Sequence, residues 1–206
     1  EFYQAYADYS DMADLTQALI QEAALAVHGS LSFELVDGGV RDLSGDWARV
    51  SVFPAVSQAV GEEITPATPI ERLRQLCAAA GIEHAPAAIH GKLVEELLEH
   101  YVVAGFIRPT FVVDYPVDTS PLVRDHRTTA GVVEKWDLYI DGVETGTGYS
   151  ELIDPVIQRD RLHAQSLLAA KGDPEAMQLD EDFLRALEYG APPMGGVGMG
   201  FDRLLM

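Results

Sequence analysis

The feature that most constrains the fold is a hairpin signal in the second half of the chain. The stretch KWDLYIDGVETGTGYSEL, residues 135–152, holds two strand-like runs on either side of Asp141 and Gly142. An Asp-Gly pair between such runs favours a two-residue hairpin turn, because both turn positions adopt a positive φ. We therefore predict an antiparallel pair of strands here, around which any larger sheet is built.

The rest of the sequence predicts helices and short hairpins. A helix is expected from Ser10 or Asp11 to about His28, with Gly29 as its stop, and a hairpin is expected to turn at 37–39. Residues 45–68 are interrupted by proline and predicted to be irregular, whereas further helices are predicted over 69–81, 90–105, 155–171 and 180–189. Without regular β-α-β alternation, this pattern predicts an α+β fold with an antiparallel sheet flanked by helices.

Composition excludes several classes of protein. The 206 residues suffice for one domain or a large part of one, and no internal boundary is evident. A net charge of −19 excludes a basic nucleic-acid footprint on this chain. No run of 18 or more apolar residues predicts a membrane span, so no membrane contact is expected from this segment. The single cysteine, Cys77, excludes an internal disulfide.

The hairpin is rich in carboxylates, and two of them are predicted to act together. With a two-residue turn, Tyr139 pairs with Glu144 and Asp137 pairs with Gly146. Asp137 and Glu144 are then diagonal neighbours about 7–8 Å apart, which suits two carboxylates that bridge one hard cation. Gly146 and Gly148 are expected to leave room for a ligand on that face. The alternative is a solvated row of strand carboxylates.

Glu151 requires an irregular strand if it shares this pocket. It lies an odd number of residues from Glu144, so a regular strand would send the two side chains to opposite faces. Thr147, Tyr149 and Glu151 alternate onto one face. We therefore predict a bulge or sharp twist at 146–148, which would bring all four side chains into a single pocket.

The C-terminal stretch GVGMGFDRLLM, residues 196–206, puts glycines directly in front of one arginine. Glycine permits a positive φ and close approach of the backbone to a ligand. Gly200 predicts a tight connection from a strand to a helix, with Arg203 in the first turn. Arg203 can hold a phosphate through two hydrogen bonds or stack on a base. The alternative is a glycine-rich turn with Arg203 paired to Asp202 or another acid.

Paired acids also suggest a glycosidase, in which one acid donates a proton and the other acts as base or nucleophile. The C-terminal stretch disfavours that class, because glycoside hydrolysis has no particular need for an arginine flanked by glycines.

Several segments in register resemble the class II aminoacyl-tRNA synthetases, and the lysyl-tRNA synthetases in particular. GVGMGFDRLLM is similar to the third class II motif, in which a glycine-rich strand enters a helix that bears an ATP-binding arginine. The opening EFYQAYADYSDM resembles the segment just after the second motif. PTFVVDYPVDTSPL, GYSELIDPVIQRDRL and EAMQLDEDFLRALEYGAPP are similar to the same family in order and spacing. The resemblance spans nearly the whole chain and is weakest at 45–90.

The resemblance assigns roles to individual residues. It implies ATP-dependent activation of L-lysine and transfer of lysine to tRNA(Lys), with magnesium as cofactor. Glu144 and Arg203 would be the catalytic residues, and ATP would also contact Gly200. Asp137 and Glu144 would hold the metal. The lysine-binding residues would be Glu1, Tyr3, Thr147, Tyr149 and Glu151.

The family also sets expectations for the whole protein. The first motif, most of the second motif and the anticodon-binding domain would lie upstream, so residues 1–206 would form a single portion of a catalytic core. The full-length protein is expected to be a cytoplasmic homodimer, and the chain alone is expected to be inactive. Two positions depart from the usual pattern: Thr147 replaces an asparagine and Asp137 replaces a glutamate. This combination is similar to the synthetase domain of actinobacterial bifunctional proteins that also transfer lysine to membrane lipid.

Two alternatives remain at this point. One is a paralogue that activates lysine for another acceptor, such as a protein side chain or, through lysyl-tRNA, a membrane lipid. The other is a non-catalytic binding paralogue, which the joint presence of Asp137, Glu144, Glu151 and Arg203 disfavours, because a desolvated acid cluster is costly to keep without a role.

Overall fold

A six-stranded sheet forms the centre of the molecule. The computed structural model describes residues 1–36, 38–170 and 176–206. Along the sheet the strands follow the order β1-β8-β7-β6-β5-β4. Their bounds are β1 Phe2–Ala5, β4 Ala48–Ser51, β5 Thr110–Val113, β6 Lys135–Ile140, β7 Val143–Ser150 and β8 Met194–Met199.

The predicted antiparallel sheet is confirmed with one exception. Strands β5 to β8 and β1 pair antiparallel, with β6 and β7 joined at the predicted turn, but β4 runs parallel to β5. Parallel neighbours need a long crossover, and here the crossover contains three helices. They are α2 Val52–Val60, α3 Ile70–Ala80 and α4 His90–Tyr101. The expectation that residues 45–68 are irregular was therefore wrong, since they contain β4 and α2.

The predicted N-terminal helix is present as α1, Tyr9–His28. It begins slightly before the predicted start because Asp8 is its N-cap: the Asp8 carboxylate accepts hydrogen bonds from the backbone of Ser10 and Asp11, and Asp11 completes a capping box. Gly29 ends the helix with φ of 69°, as predicted.

The remaining elements follow the predictions closely. Strands β2 Ser32–Glu34 and β3 Val40–Asp42 form the separate hairpin, of which Asp37 lies outside the described residues. The predicted helix over 90–105 ends as α4 at Tyr101, followed by a 3₁₀ turn. Residue 171, the predicted end of the next helix, also lies outside the described part. The C-terminal helices are α5 Pro155–Ala169, α6 Glu181–Glu188 and α7 Phe201–Leu205. No described helix is long and apolar enough to cross a membrane.

The two faces of the sheet are covered differently. One face packs against α1 through a core that includes Met12, Phe111, Trp136 and Leu138. On the other face, α2 to α4 bury the β4–β5–β6 side. The same face continues across β7, β8 and β1, where Tyr3 is 58% exposed and Thr147, Tyr149 and Glu151 are partly exposed. We call this continuation the open face.

Candidate functional site

A single bulge in β7 decides which side chains share the open face. Tyr139 pairs with Glu144, but the preceding residue Leu138 pairs with Gly146, so Thr145 is an extra residue. The predicted irregularity is confirmed, although it lies just before 146–148. Because of it, Glu144 shares a face with Thr147, Tyr149 and Glu151. Asp137 joins them, since it pairs with Thr147 rather than with Gly146 as predicted.

The glycines expected to make room for a ligand face the other way. A Cβ on Gly148 would lie 2.2 Å from the ring of the buried Trp136, and Gly146 pairs with the buried Leu138. Both belong to the face covered by α1, so that expectation was wrong. The cause is the bulge at Thr145, which reverses the alternation.

Room on the open face comes from two other glycines, on β8. Gly196 pairs with Tyr149 and Tyr3, and Gly198 pairs with Thr147. A Cβ on Gly196 would lie 2.1 Å from a carboxylate oxygen of Glu151 and 2.8 Å from the ring of Tyr3. Only glycine lets these two side chains converge there. None of the glycines in β8, nor Gly200, has a positive φ, so close approach rather than unusual φ explains them.

At one end of the open face two carboxylates lie near each other. The Tyr3 hydroxyl donates a hydrogen bond to Glu1. Burial and the negative charge of Glu1 raise the pKa of Glu151 to about 7. The hydrogen bond to Glu1, burial and nearby negative charge raise the pKa of Tyr3 to about 12. Within the described residues, no cation or hydrogen-bond donor pairs with the Glu151 carboxylate. We call the region formed by Glu1, Tyr3 and Glu151 the amine end. Because its Glu151 carboxylate has no described counter-charge, it suits a positively charged ligand.

Asp137 and Glu144 lie at the other end of the open face. At about 3.3 Å per residue, and with one residue taken up by the bulge, Glu144 and Glu151 are roughly 20 Å apart along the strand direction. The Asp137 side chain is 8% exposed, and its Oδ2 atom lies 2.9 Å from Nζ of Lys135. Burial and the charge of Asp137 raise the pKa of Glu144. We call this region the carboxylate end.

The carboxylate end fits a magnesium ion that arrives with phosphates. In the described residues, no group of three or more His, Cys, Asp or Glu side chains is placed to hold a metal by itself. Magnesium in proteins is commonly held by one or two carboxylates together with substrate phosphates and water. Asp137 and Glu144 supply that donor set on one face.

The C-terminal stretch reaches the carboxylate end through the bulge. The backbone N–H of Gly200 donates to the carbonyl oxygen of Thr145 at 3.1 Å. Helix α7 begins directly after it, as predicted, and the exposed Arg203 donates a hydrogen bond to the carbonyl oxygen of Glu144. The alternative, an ion pair of Arg203 with Asp202 or another acid, is not formed within the described residues. The guanidinium keeps further donors for a ligand.

Thr147 lies opposite Asp137, on the side of the carboxylate end that faces the amine end, and its hydroxyl is already engaged. Oγ1 donates to the carbonyl oxygen of Trp136 at 3.2 Å, and the methyl group faces Gly198. A threonine hydroxyl has one proton to donate. In this arrangement Thr147 offers a ligand a methyl group and a hydrogen-bond acceptor.

Arg124 and Arg127 both form ion pairs with Glu134. This carboxylate is 1% exposed and lies 2.7 Å from a nitrogen of each arginine. Arg127 also pairs with Asp8 at 2.7 Å. Burial raises the pKa of Glu134, but Arg127, Ser150 and Arg124 outweigh it and lower the value to about 2. We call Glu134, Arg124, Arg127 and Asp8 the Glu134 cluster.

Two residues behind the carboxylate end were not identified from the sequence. Burial lowers the pKa of Lys135, but Asp137 and Glu95 outweigh it and leave the value raised. Burial raises the pKa of Glu95, on α4, to about 7. The i, i+2 spacing of Lys135 and Asp137 on one strand was an available signal. No pattern in the sequence places Glu95 beside them.

The chain is similar over its whole length to known lysine–tRNA ligases. The chain is 55% identical over 207 aligned residues to a lysine–tRNA ligase of Kineococcus radiotolerans, of which it covers 41%. It is 53% identical over 212 residues to one of Mycobacterium bovis, covering 42%. It is also 53% identical over 210 residues to the lysylphosphatidylglycerol biosynthesis bifunctional protein LysX of Nocardia farcinica, covering 19%. In each case the alignment includes the whole of this chain.

The chain thus spans about two fifths of the lysine–tRNA ligases it matches. The family described as tRNA synthetases class II (D, K and N) matches residues 1–206, and the chain belongs to that family.

Proposed function

We propose that this chain is the part of a lysine–tRNA ligase that binds lysine and ATP. The observation that carries the proposal is the half-buried Glu151 carboxylate. A second carboxylate lies beside it, and no cationic side chain among the described residues pairs with it. The ammonium group of a lysine side chain would supply the missing positive charge. A neutral amino acid would leave both carboxylates unpaired in a desolvated site, so the amine end would reject it.

The distance between the two ends suits an amino acid joined to a nucleotide. With its ammonium at Glu151 and its side chain along Tyr149, lysine would direct its carboxylate past Thr147 towards Asp137 and Glu144. One lysine carboxylate oxygen attacks the α-phosphorus of ATP. A carboxyl–phosphate bond forms, the bond from the α-phosphorus to the bridging oxygen breaks, and pyrophosphate leaves. Attack by the 3′ end of tRNA(Lys) then releases AMP.

The residues of this chain contribute positioning and charge. Glu1, Tyr3 and Glu151 would orient lysine, and Arg203 would bind the nucleotide beside Gly200 and Glu144. Asp137 and Glu144 would hold magnesium, which neutralises phosphate charge and orients the leaving group. No side chain needs to transfer a proton in the first step.

The remaining proposals concern the longer protein. We propose that the upstream motifs and an anticodon-binding domain complete the enzyme, that it is a homodimer, and that it acts in the cytoplasm with ATP, L-lysine and tRNA(Lys). The limited coverage of the ligases supports the first point, because the matching region is a fraction of their length.

Lysine-dependent ATP–pyrophosphate exchange by the full-length parent protein tests this function. We expect exchange with lysine, a loss of about a thousandfold or more in kcat/KM with Glu151→Gln, and a loss of about a hundredfold with Arg203→Ala. Glu22→Gln, at an exposed position on α1, is the matched control and should retain wild-type rates. A folded parent protein that exchanges no lysine would contradict the proposal.

A further inference from the structure

Lys135 forms an ion pair with Asp137, a carboxylate that would bind the metal ion. Lys135 and Asp137 lie two residues apart on β6 and project to the same face. Nζ of Lys135 is 2.9 Å from Oδ2 of Asp137, and the side chains are only 17% and 8% exposed. An incoming cation therefore meets an oxygen that already accepts a charged hydrogen bond in a partly dry site, where such a bond is stronger than in water.

The Lys135 ammonium has other favourable neighbours in the same cleft. Nζ lies 4.1 Å from the centre of the Tyr115 ring, within the range of a cation–π contact. The negative charge of Glu95 on α4 also acts on Lys135. A lysine side chain is flexible and carries three donors, so it can exchange one carboxylate for another without leaving the cleft.

We propose that Lys135 is an internal counter-cation that occupies Asp137 in the metal-free protein and moves to Glu95 when a divalent cation binds there. This inference rests on the metal pair of the proposed function. Two cations on one carboxylate repel each other strongly in a desolvated site. Lys135 would therefore weaken metal binding until ATP phosphates add their own negative charge, and the metal would enter together with ATP. Lys135 acts through Asp137 and is a positioning residue.

Binding of Mn²⁺ to the ATP-free full-length protein, followed by electron paramagnetic resonance, tests the proposal directly. Lys135→Met keeps the aliphatic stem and removes the charge, and we expect Mn²⁺ affinity to rise by about tenfold, since one charge beside a carboxylate changes its cation affinity by that order. Lys135→Arg keeps the charge and should bind Mn²⁺ like the wild type. The gain should disappear in the double variant Lys135→Met, Asp137→Asn.

Glu95→Gln supplies the complementary test. It removes the carboxylate that would receive the ammonium, so Lys135 should stay on Asp137 and Mn²⁺ affinity should fall by about two- to fivefold. General damage to the site would weaken Mn²⁺ binding in both variants. The proposal instead requires Mn²⁺ affinity to rise in Lys135→Met and to fall in Glu95→Gln.

Unchanged, weaker or absent Mn²⁺ binding in Lys135→Met would overturn the proposal, provided that its circular dichroism and urea midpoint match the wild type. Unchanged or tighter binding in Glu95→Gln would overturn the role of Glu95. These readouts need neither lysine nor catalysis. Suppose the protein failed lysine-dependent exchange, while Mn²⁺ affinity rose in Lys135→Met and fell in Glu95→Gln. The proposed function would then be refuted, and the role of Lys135 as a counter-cation would stand.

Discussion

Glu134 directly precedes β6 and Glu151 directly follows β7, and the surroundings of the two carboxylates differ in charge. The chain provides two arginines for Glu134, and its pKa falls to about 2 because these and a hydrogen bond from Ser150 outweigh burial. Among the described residues it provides none for Glu151, where burial and Glu1 raise the pKa to about 7. A carboxylate that the fold neutralises holds the structure together. One that the fold leaves without a counter-charge is available to a ligand.

The two carboxylates are also mechanically connected. The backbone N–H of Ser150 donates to the carbonyl oxygen of Glu134 at 2.9 Å, and that of Arg124 donates to the carbonyl oxygen of Ser150 at 2.9 Å. Ser150 directly precedes Glu151. The Glu134 cluster therefore fixes the backbone from which Glu151 projects, and the neutralised site supports the unneutralised one.

Substitution of each glutamate by glutamine should separate the two roles most clearly. Glu134→Gln should lower the free energy of unfolding by about 2–3 kcal/mol, less than a fully buried pair because both arginines can regain water. Glu151→Gln should leave that free energy unchanged or raise it, since a desolvated charge is removed. Urea denaturation of the full-length protein measures both. Equal destabilisation by the two variants would contradict the distinction.

The pH dependence of stability should have opposite signs at the two sites. Glu134 has a folded pKa below its unfolded value, so its contribution is present above about pH 4.5 and is lost towards pH 2. Glu151 has a folded pKa above its unfolded value, so the folded state binds more protons and stability falls as pH rises from about 4.5 to 7.

Difference curves between wild type and each glutamine variant isolate these contributions from the rest of the protein. Unfolding free energies at several pH values between 3 and 8 would give them. The wild-type advantage over Glu134→Gln should grow from the acid end up to about pH 4.5. Relative to Glu151→Gln, the wild type should lose stability as the pH rises from about 4.5 to about 7. Parallel curves would show that Glu151 is neutralised by a group of the longer protein.

The smallest expected effect is a proton released when lysine binds. Below about pH 7 part of the Glu151 population is protonated, and an ammonium ligand would drive that proton off. Titration calorimetry in buffers of different ionisation enthalpy should report release of up to one proton near pH 6 and almost none at pH 8. Glu151→Gln cannot release this proton, so any residual release must come from another group.

Prediction from the sequence succeeded where the signal was local. The Asp141-Gly142 turn, the cap at Gly29 and the connection from β8 into α7 each depend on a few adjacent residues, and all were found. The pairing of Tyr139 with Glu144 was also correct, because it lies next to the turn. The resemblance to class II synthetases provided the family.

Prediction failed where one local irregularity changed distant pairings. The need for a bulge followed from the odd spacing of Glu144 and Glu151, but its place did not, and an error of one residue reversed the faces of Gly146 and Gly148. Contacts between separate elements were also out of reach. The pairing of Glu134 with two arginines, and of Glu95 on α4 with Lys135 on β6, depends on packing that no single segment encodes.

The extra residue at Thr145 also serves the C-terminal stretch. Deleting it would restore a regular ladder in which Glu144 still pairs with Tyr139 and keeps its face, but the carbonyl group that accepts from Gly200 would be lost. The entry into α7 depends on that carbonyl group, so the deletion should displace Arg203 while Asp137 and Glu144 still face the same way. The bulge thus lets one strand present carboxylates on a single face and hold the arginine beside them.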